Sequence, residues 1–293
     1  MAGCAQGFAS KLAINGQQVE FIGGIRDLSL RELVDNGQVA IRGNLDHTKE
    51  RVTLGRLIVG FEFTCNPSPA ELDVYLPLMG FAESPTDTFT LGNTYGTFTS
   101  IIDRVTKVHT YTSCVMGRSI FRGQRGSQPN SLTQQVLGVN LTEGASGSFS
   151  ATALDTDIAY AFTEGVFTYS GTAYAFDRYQ WLLDPRMEVQ WNNSTTATAI
   201  CPTDRVNVLS LSTPYTSDEQ ALFTTPLASA AGAAASLAWS RGNQSTSIAF
   251  ANLKSLARPP VIKGKGQIRL PLHFNNYRSG STVSTVITHD ATA

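Results

Sequence analysis

The chain has 293 residues, of which 42% are apolar, 15% charged and 9% aromatic, a length that accommodates two compact domains of roughly 100 to 200 residues each. Its 22 Lys and Arg stand against 23 Asp and Glu, which excludes both a basic excess advertising nucleic-acid binding and an acidic solvating tail. Abundant Ser, Thr and Gly beside few Lys favour short strands and turns over long surface helices, so the expected class is mainly β.

At the start, Met1 to Lys11 lacks a basic segment followed by an apolar core, so no secretory signal is expected and folding in a reducing cytoplasm is. Asn15-Gly16 is a turn that feeds the alternating run "QQVEFIGGIRDLSL", read as strands. A long polar segment follows, Asn36 to Glu50, and then a strand from Arg51, "RVTLGRLIVGFEFT". Ser68 is a helix N-cap, Pro69 suits the first helical position and Glu71 completes a capping box, with Leu72, Tyr75, Leu76 and Met79 at helical spacing behind it. "FTSIIDRVTKV" from Phe98 and "CVMGRSIFRG" from Cys114 return as strands. The richest Gly/Ser stretch, Leu141 to Thr152, marks a join.

Beyond the join the same features recur at an offset of about half the chain. Ser170-Gly171 feeds "TAYAFDRYQWLLD", a second polar insert runs from Pro185 to Asp204, and "RVNVLSLSTPY" follows from Arg205. Ser217 with Gln220 suggests a second helix start, shortened before Pro226. "STSIAFANLKS" from Ser245 parallels the Phe98 segment, and "KGQIRLPLHF" parallels the Cys114 segment. The expectation is two similar domains, residues 1–143 and 166–293, each mostly strand with one short helix, joined by a linker or extended hairpin over 144–165. Inserts of this length inside a compact domain are usually functional.

Catalytic spelling is missing: there is no nucleophile elbow, phosphate loop, zinc-protease helix or calcium loop, and Gly264-Lys265-Gly266 reads as a β-turn. Cys4, Cys65, Cys114 and Cys201 are widely spaced and read as buried thiols, and His47, His109, His273 and His289 are isolated from one another. Asp155 and Asp157 form the one candidate acid pair, better read as a solvated loop edge. No catalytic, cofactor-binding or metal-binding residue is expected, and no enzymatic activity. Arg118, Arg122 and Arg125 in the first half and Arg258, Lys263, Lys265 and Arg269 in the second form matching basic clusters, read as subunit salt bridges or exposed turns. The Ala-rich stretch Ala228 to Trp239 is too short to cross a bilayer.

The order of these motifs resembles the tail tube (major tail) proteins of bacteriophages with long, non-contractile tails. The similarity is carried by the Ser68-Pro-Ala-Glu helix leading to "LPLMGF", by "YTSCVMGRSIFRGQRGSQPNSLTQQVLG" from Tyr111, by "FTEGVFTYSGTAYAFDRYQWLLD" with "PTDRVNV" at Pro202, and by "RPPVIKGKGQIRLPLHFNNY" from Arg258. Pro185 departs from the pattern, standing where an Asn would be expected after "WLLD". The resemblance implies tandem tail-tube-type β-sandwich or barrel domains that contribute strands to a closed lumen barrel in a ring. Rings stack into a tube through which double-stranded DNA passes without sequence-specific binding. Partners implied are the chain itself, tape-measure protein in the bore and tail-completion or tip proteins at the ends. The location implied is the virion tail, with the host cytoplasm during assembly.

Two domains per chain favour a homotrimeric, pseudo-sixfold ring, with a hexameric ring as the alternative. The inserts and, second, the termini are the candidate contacts between rings, with Asn44, Asp46, His47, Lys49, Glu50, Trp191, Asn192 and Asn193 as the named residues. A basic bore would bind phosphates, so the expected lining is small, polar and acidic, with Arg118, Arg122 and Lys265 turned elsewhere. The alternative function is a β-sandwich adhesin or carbohydrate-binding module built around Trp181, Trp191, Trp239 and Tyr215.

Overall fold

The computed structural model describes residues 7–35, 52–126, 129–228, 232–255, 259–262 and 266–292, and these are mainly strand, with two α-helices. In the first half, β1 (Lys11–Ile14) turns into β2 (Gln17–Val19) through Asn15 and Gly16 at φ 51° and 82°, the left-handed pair that matches the twist of a tight hairpin. Next come β3 (Arg26–Asp27), β4 (Leu30–Asp35) and the 14-residue β5 (Val52–Cys65). Asn36 to Glu50 lies outside the described residues. Helix α1 (Pro69–Leu78) starts as its letters dictate. The Ser68 hydroxyl accepts the Glu71 N–H at 3.0 Å and the Glu71 carboxylate accepts the Ser68 N–H at 3.1 Å. β6 (Phe81–Glu83), β7 (Thr88–Leu91), β8 (Phe98–Asp103), β9 (Lys107–Gln124), β10 (Ser131–Gly138) and β11 (Asn140–Ala145) complete this half.

The second half opens with β12 (Gly165–Tyr169) and β13 (Thr172–Tyr174), joined through Ser170 and Gly171 at φ 51° and 82°, the angles of the first hairpin. It continues through β14 (Arg178–Asp184), β15 (Met187–Gln190), β16 (Ala199–Pro202), β17 (Val206–Pro214), α2 (Gln220–Ala228), β18 (Ala233–Arg241), β19 (Gln244–Ser255), β20 (Arg269–Asn276) and β21 (Thr285–Asp290).

Seven antiparallel pairings occur in the same succession in each half. They are β1·β2, β1·β8, β8·β9, β9·β11, β9·β10, β10·β5 and β5·β3 in the first. In the second they are β12·β13, β12·β18, β18·β19, β19·β21, β19·β20, β20·β17 and β17·β14. The first half adds β4·β5 to the same sheet, whereas β15·β16 in the second is a separate two-stranded sheet. The halves are themselves joined by β9·β14 and β21·β7, so nineteen strands belong to one hydrogen-bonded network. Among the described residues no closed barrel forms within the chain.

Four sequence expectations change. By its partners, the Phe98 strand corresponds to Ala233–Arg241 rather than to the Ser245 segment, and the Cys114 segment in β9 corresponds to β19 rather than to "KGQIRLPLHF". Similar alternation in neighbouring strands hid the shift of one strand. Within Leu141 to Thr152, residues up to Ala145 pair with β9, and Thr152 exchanges backbone hydrogen bonds with Gly16 and Gln18. Pro185 to Asp204 is a hairpin, β15·β16, rather than a loop. Helix α2 begins behind Thr216, whose hydroxyl accepts the Asp218 N–H at 3.3 Å and donates to the buried Glu219, so Ser217 and Gln220 do not cap it, and the helix runs through Pro226.

Strand alternation builds the core. Cys65, Leu132, Phe121, Trp181, Leu209 and Phe274 are successive cross-strand partners over β5, β10, β9, β14, β17 and β20, and all six are buried. Aromatics of a facing layer meet this row: Trp239 reaches Phe121 at 5.4 Å between ring centroids, and Phe250 and Phe81 reach Trp181 at 6.0 and 6.4 Å. Such burial contributes about 1.5 to 3 kcal/mol per large side chain. Helix α1 buries Leu72, Tyr75 and Leu76, and is tied across the chain by the fully buried His289, whose Nε2 lies 2.9 Å from the Pro69 carbonyl. Burial pushes the Cys114 thiol up to about 12; the described cysteines Cys65, Cys114 and Cys201 are free.

Candidate functional site

A one-residue step along those six strands turns to the opposite face. There Ser131, Arg122, Gln180, Ser210 and His273 form one cross-strand row over β10, β9, β14, β17 and β20. Arg122 Nε donates to Gln180 Oε1 at 3.1 Å, and Ser210 Oγ lies 2.8 Å from His273 Nδ1. The row beside it is Gln124, Arg178, Ser212 and Pro271. These two rows line a cleft of about 640 Å³ whose walls contain Arg122, Arg178 and His273 and, among the described residues, no Asp or Glu.

Further along the strands, Thr64, Thr133, Ile120, Leu182, Val208 and Asn275 cross all six as a seam with an apolar middle. Beyond it Arg118 is neutralised by Glu62 at 2.7 Å, and Asp184 holds the Arg186 N–H at 2.9 Å. Charge is therefore segregated along the strand direction, with unpaired guanidinium at one end and carboxylates at the other. Cross-strand register places Arg118 and Arg122 on this one polar sheet face. Lys265, Arg258 and Lys263 lie outside the described residues. Arg125 and Arg269 converge instead on Asp177, Arg125 at 3.9 Å.

Two hairpin arms follow, β4·β5 as part of the large sheet and β15·β16 as a separate two-stranded sheet. In β4·β5, Leu33 and Leu54 are cross-strand partners, 69% and 63% exposed, with Leu30 and Val34 exposed nearby. In β15·β16, the Trp191 indole N–H donates to the Leu57 carbonyl at 3.1 Å, the Arg56 guanidinium lies 5.1 Å from the Trp191 ring centroid, and the Leu57 N–H donates to the Thr195 carbonyl at 2.8 Å. The second arm is thus laced to the base of the first. Asn192, at φ 46°, donates to Thr198 Oγ1 at 3.0 Å and closes the turn, while Asn193 is exposed at the tip. Asn44, Asp46, His47, Lys49 and Glu50 lie outside the described residues.

Of the aromatics suggesting a glycan cleft, Trp181 and Trp239 are buried in the core and Trp191 faces Arg56. Asp155 and Asp157 have separate partners: Asp155 accepts the Ser68 hydroxyl, and Asp157 accepts Gln244 Nε2 at 3.0 Å. His109 lies 4.0 Å from Glu143. Among the described residues no three His, Cys, Asp or Glu side chains are grouped to hold a metal ion, and no helix is long and apolar enough to cross a membrane. The cleft was missed in the sequence because Arg122 and Arg178 are distant in the chain; only register brings them together. No known protein family matches the chain, and no curated protein matches it.

Proposed function

We propose that this chain is a structural subunit of a virion tail tube, two tandem sandwich-type domains whose copies close into rings that stack as a conduit for DNA. The observation behind this reading is the junction the chain makes with itself. By pairing order, β14 is to the second half what β3 is to the first, and β9 meets β14 edge to edge. Applied between copies, the same junction joins β3 of one chain to the segment beside β20 of another. Arg122, the partner of Ser131, corresponds to Val261, the partner of Arg269. Gln180, the partner of Ser210, corresponds to Arg26, the partner of Glu62. Since Arg122 pairs with Gln180, Val261 of one copy is to pair with Arg26 of the next.

A head-to-tail contact that repeats around an axis closes into a ring and removes the open edges. The polar face with the cleft then lines the bore, the core aromatics face outward, and the arms reach adjacent rings. Two similar domains per chain favour three chains per ring over six, with tape-measure and tail-completion proteins as the partners within and at the ends.

The test is Arg26→Cys with Val261→Cys in the full chain. Under mild oxidation the pair is expected to give covalent oligomers, with neither single substitution doing so. A double variant that stays uncrosslinked at concentrations where particles form would refute the edge junction.

A further inference from the structure

We propose that the cleft lined by Arg122 and Arg178 is a phosphate-backbone contact, a weak and salt-released site for double-stranded DNA. Register makes the two arginines diagonal neighbours on adjacent strands, since Arg122 faces Gln180 and Gln124 faces Arg178. Like charges so placed repel. Elsewhere on this face Glu62 relieves Arg118, but among the described residues no carboxylate lines the cleft.

Arg178 is exposed and makes no side-chain hydrogen bond or ion pair among the described residues, and Arg122 gives its Nε to a neutral amide. Both forks remain open to an oxyanion, with the Gln124 amide, the Ser131 hydroxyl and the Ser210–His273 pair beside them. Planar guanidinium donors on a regular sheet suit phosphate oxygens and offer no base-edge readout. The anionic character of the ligand follows from the cleft alone. The choice of DNA over other phosphates rests on the tube reading above. Two contacts per chain make the hold of each chain weak and released by ordinary salt.

The experiment is fluorescence anisotropy of a short labelled DNA duplex against the full chain over a range of NaCl concentrations. Arg122→Gln with Arg178→Gln is expected to flatten the plot of log affinity against log salt by about two, and to weaken low-salt binding by about tenfold or more. Arg178→Gln alone is expected to flatten it by about one; its exposed position leaves folding unaffected, checked by the thermal midpoint. Arg186→Gln, on the second arm, is expected to match the wild type. A double variant with wild-type affinity and slope would overturn the proposal, as would a wild type that ignores the duplex and binds only inorganic pyrophosphate. Electron microscopy of the same samples reads the tube separately: assembled tubes with unchanged duplex binding remove the DNA contact and leave the tube standing.

Discussion

Ser68 and Glu71 join two roles in one local motif, capping α1 and receiving the segment that links the halves through Asp155. Ser68→Ala is expected to lower stability by about 1 to 2 kcal/mol in a denaturant titration, the usual cost of a lost cap. Burial, reinforced by the nearby Asp155 and Glu20 carboxylates, pushes Glu71 from an ordinary 4.5 up to about 7. The folded chain then keeps a proton that the unfolded chain has released. That contribution to stability is present below pH 4.5 and is lost as pH rises to about 7. Glu71→Gln is expected to flatten this part of the stability profile, by at most about 3 kcal/mol; an unchanged profile would refute the assignment. At Gly123 an added Cβ would overlap Asn130 and the Tyr179 ring, so Gly123→Ala is expected to cost about 1 to 3 kcal/mol through overpacking. The capping box was legible in the sequence because its partners are three residues apart. The need for glycine at 123 was not, because it is imposed by β14 and by the segment before β10.

Among the elements, the turns and long strands were legible: Asn15-Gly16 and Ser170-Gly171 announce hairpins through their left-handed preference, and alternation announces β5, β9 and β17. The second arm was not. Its polar residues fit a loop as well as a hairpin, and its seat on β5 depends on Trp191 meeting Arg56 and Leu57 from across the chain. Trp191→Ala is expected to unseat this arm while leaving the core intact. Limited proteolysis should then cut residues 191–198 several-fold faster, with the thermal midpoint little changed. Equal cleavage of the two proteins would mean that the indole does not hold the arm.

For the whole molecule, the succession of strand pairings sets the Phe98 segment against β18 and the Cys114 segment against β19. Adjacent strands of one sheet share a hydrophobic rhythm, so only hydrogen-bond partners distinguish them. The exposed Leu33 and Leu54 belong to this scale, because an apolar arm on an isolated chain is a liability unless another copy covers it. Leu33→Glu with Leu54→Glu is expected to leave the thermal midpoint unchanged and to prevent stacking of rings. The most direct measurement is negative-stain electron microscopy of the purified chain over a range of concentrations, with mass photometry counting chains per particle. Hollow rings or tubes built from three chains per ring are the predicted result. Solid particles, or a monomer at every concentration that instead binds glycans, would contradict the tube.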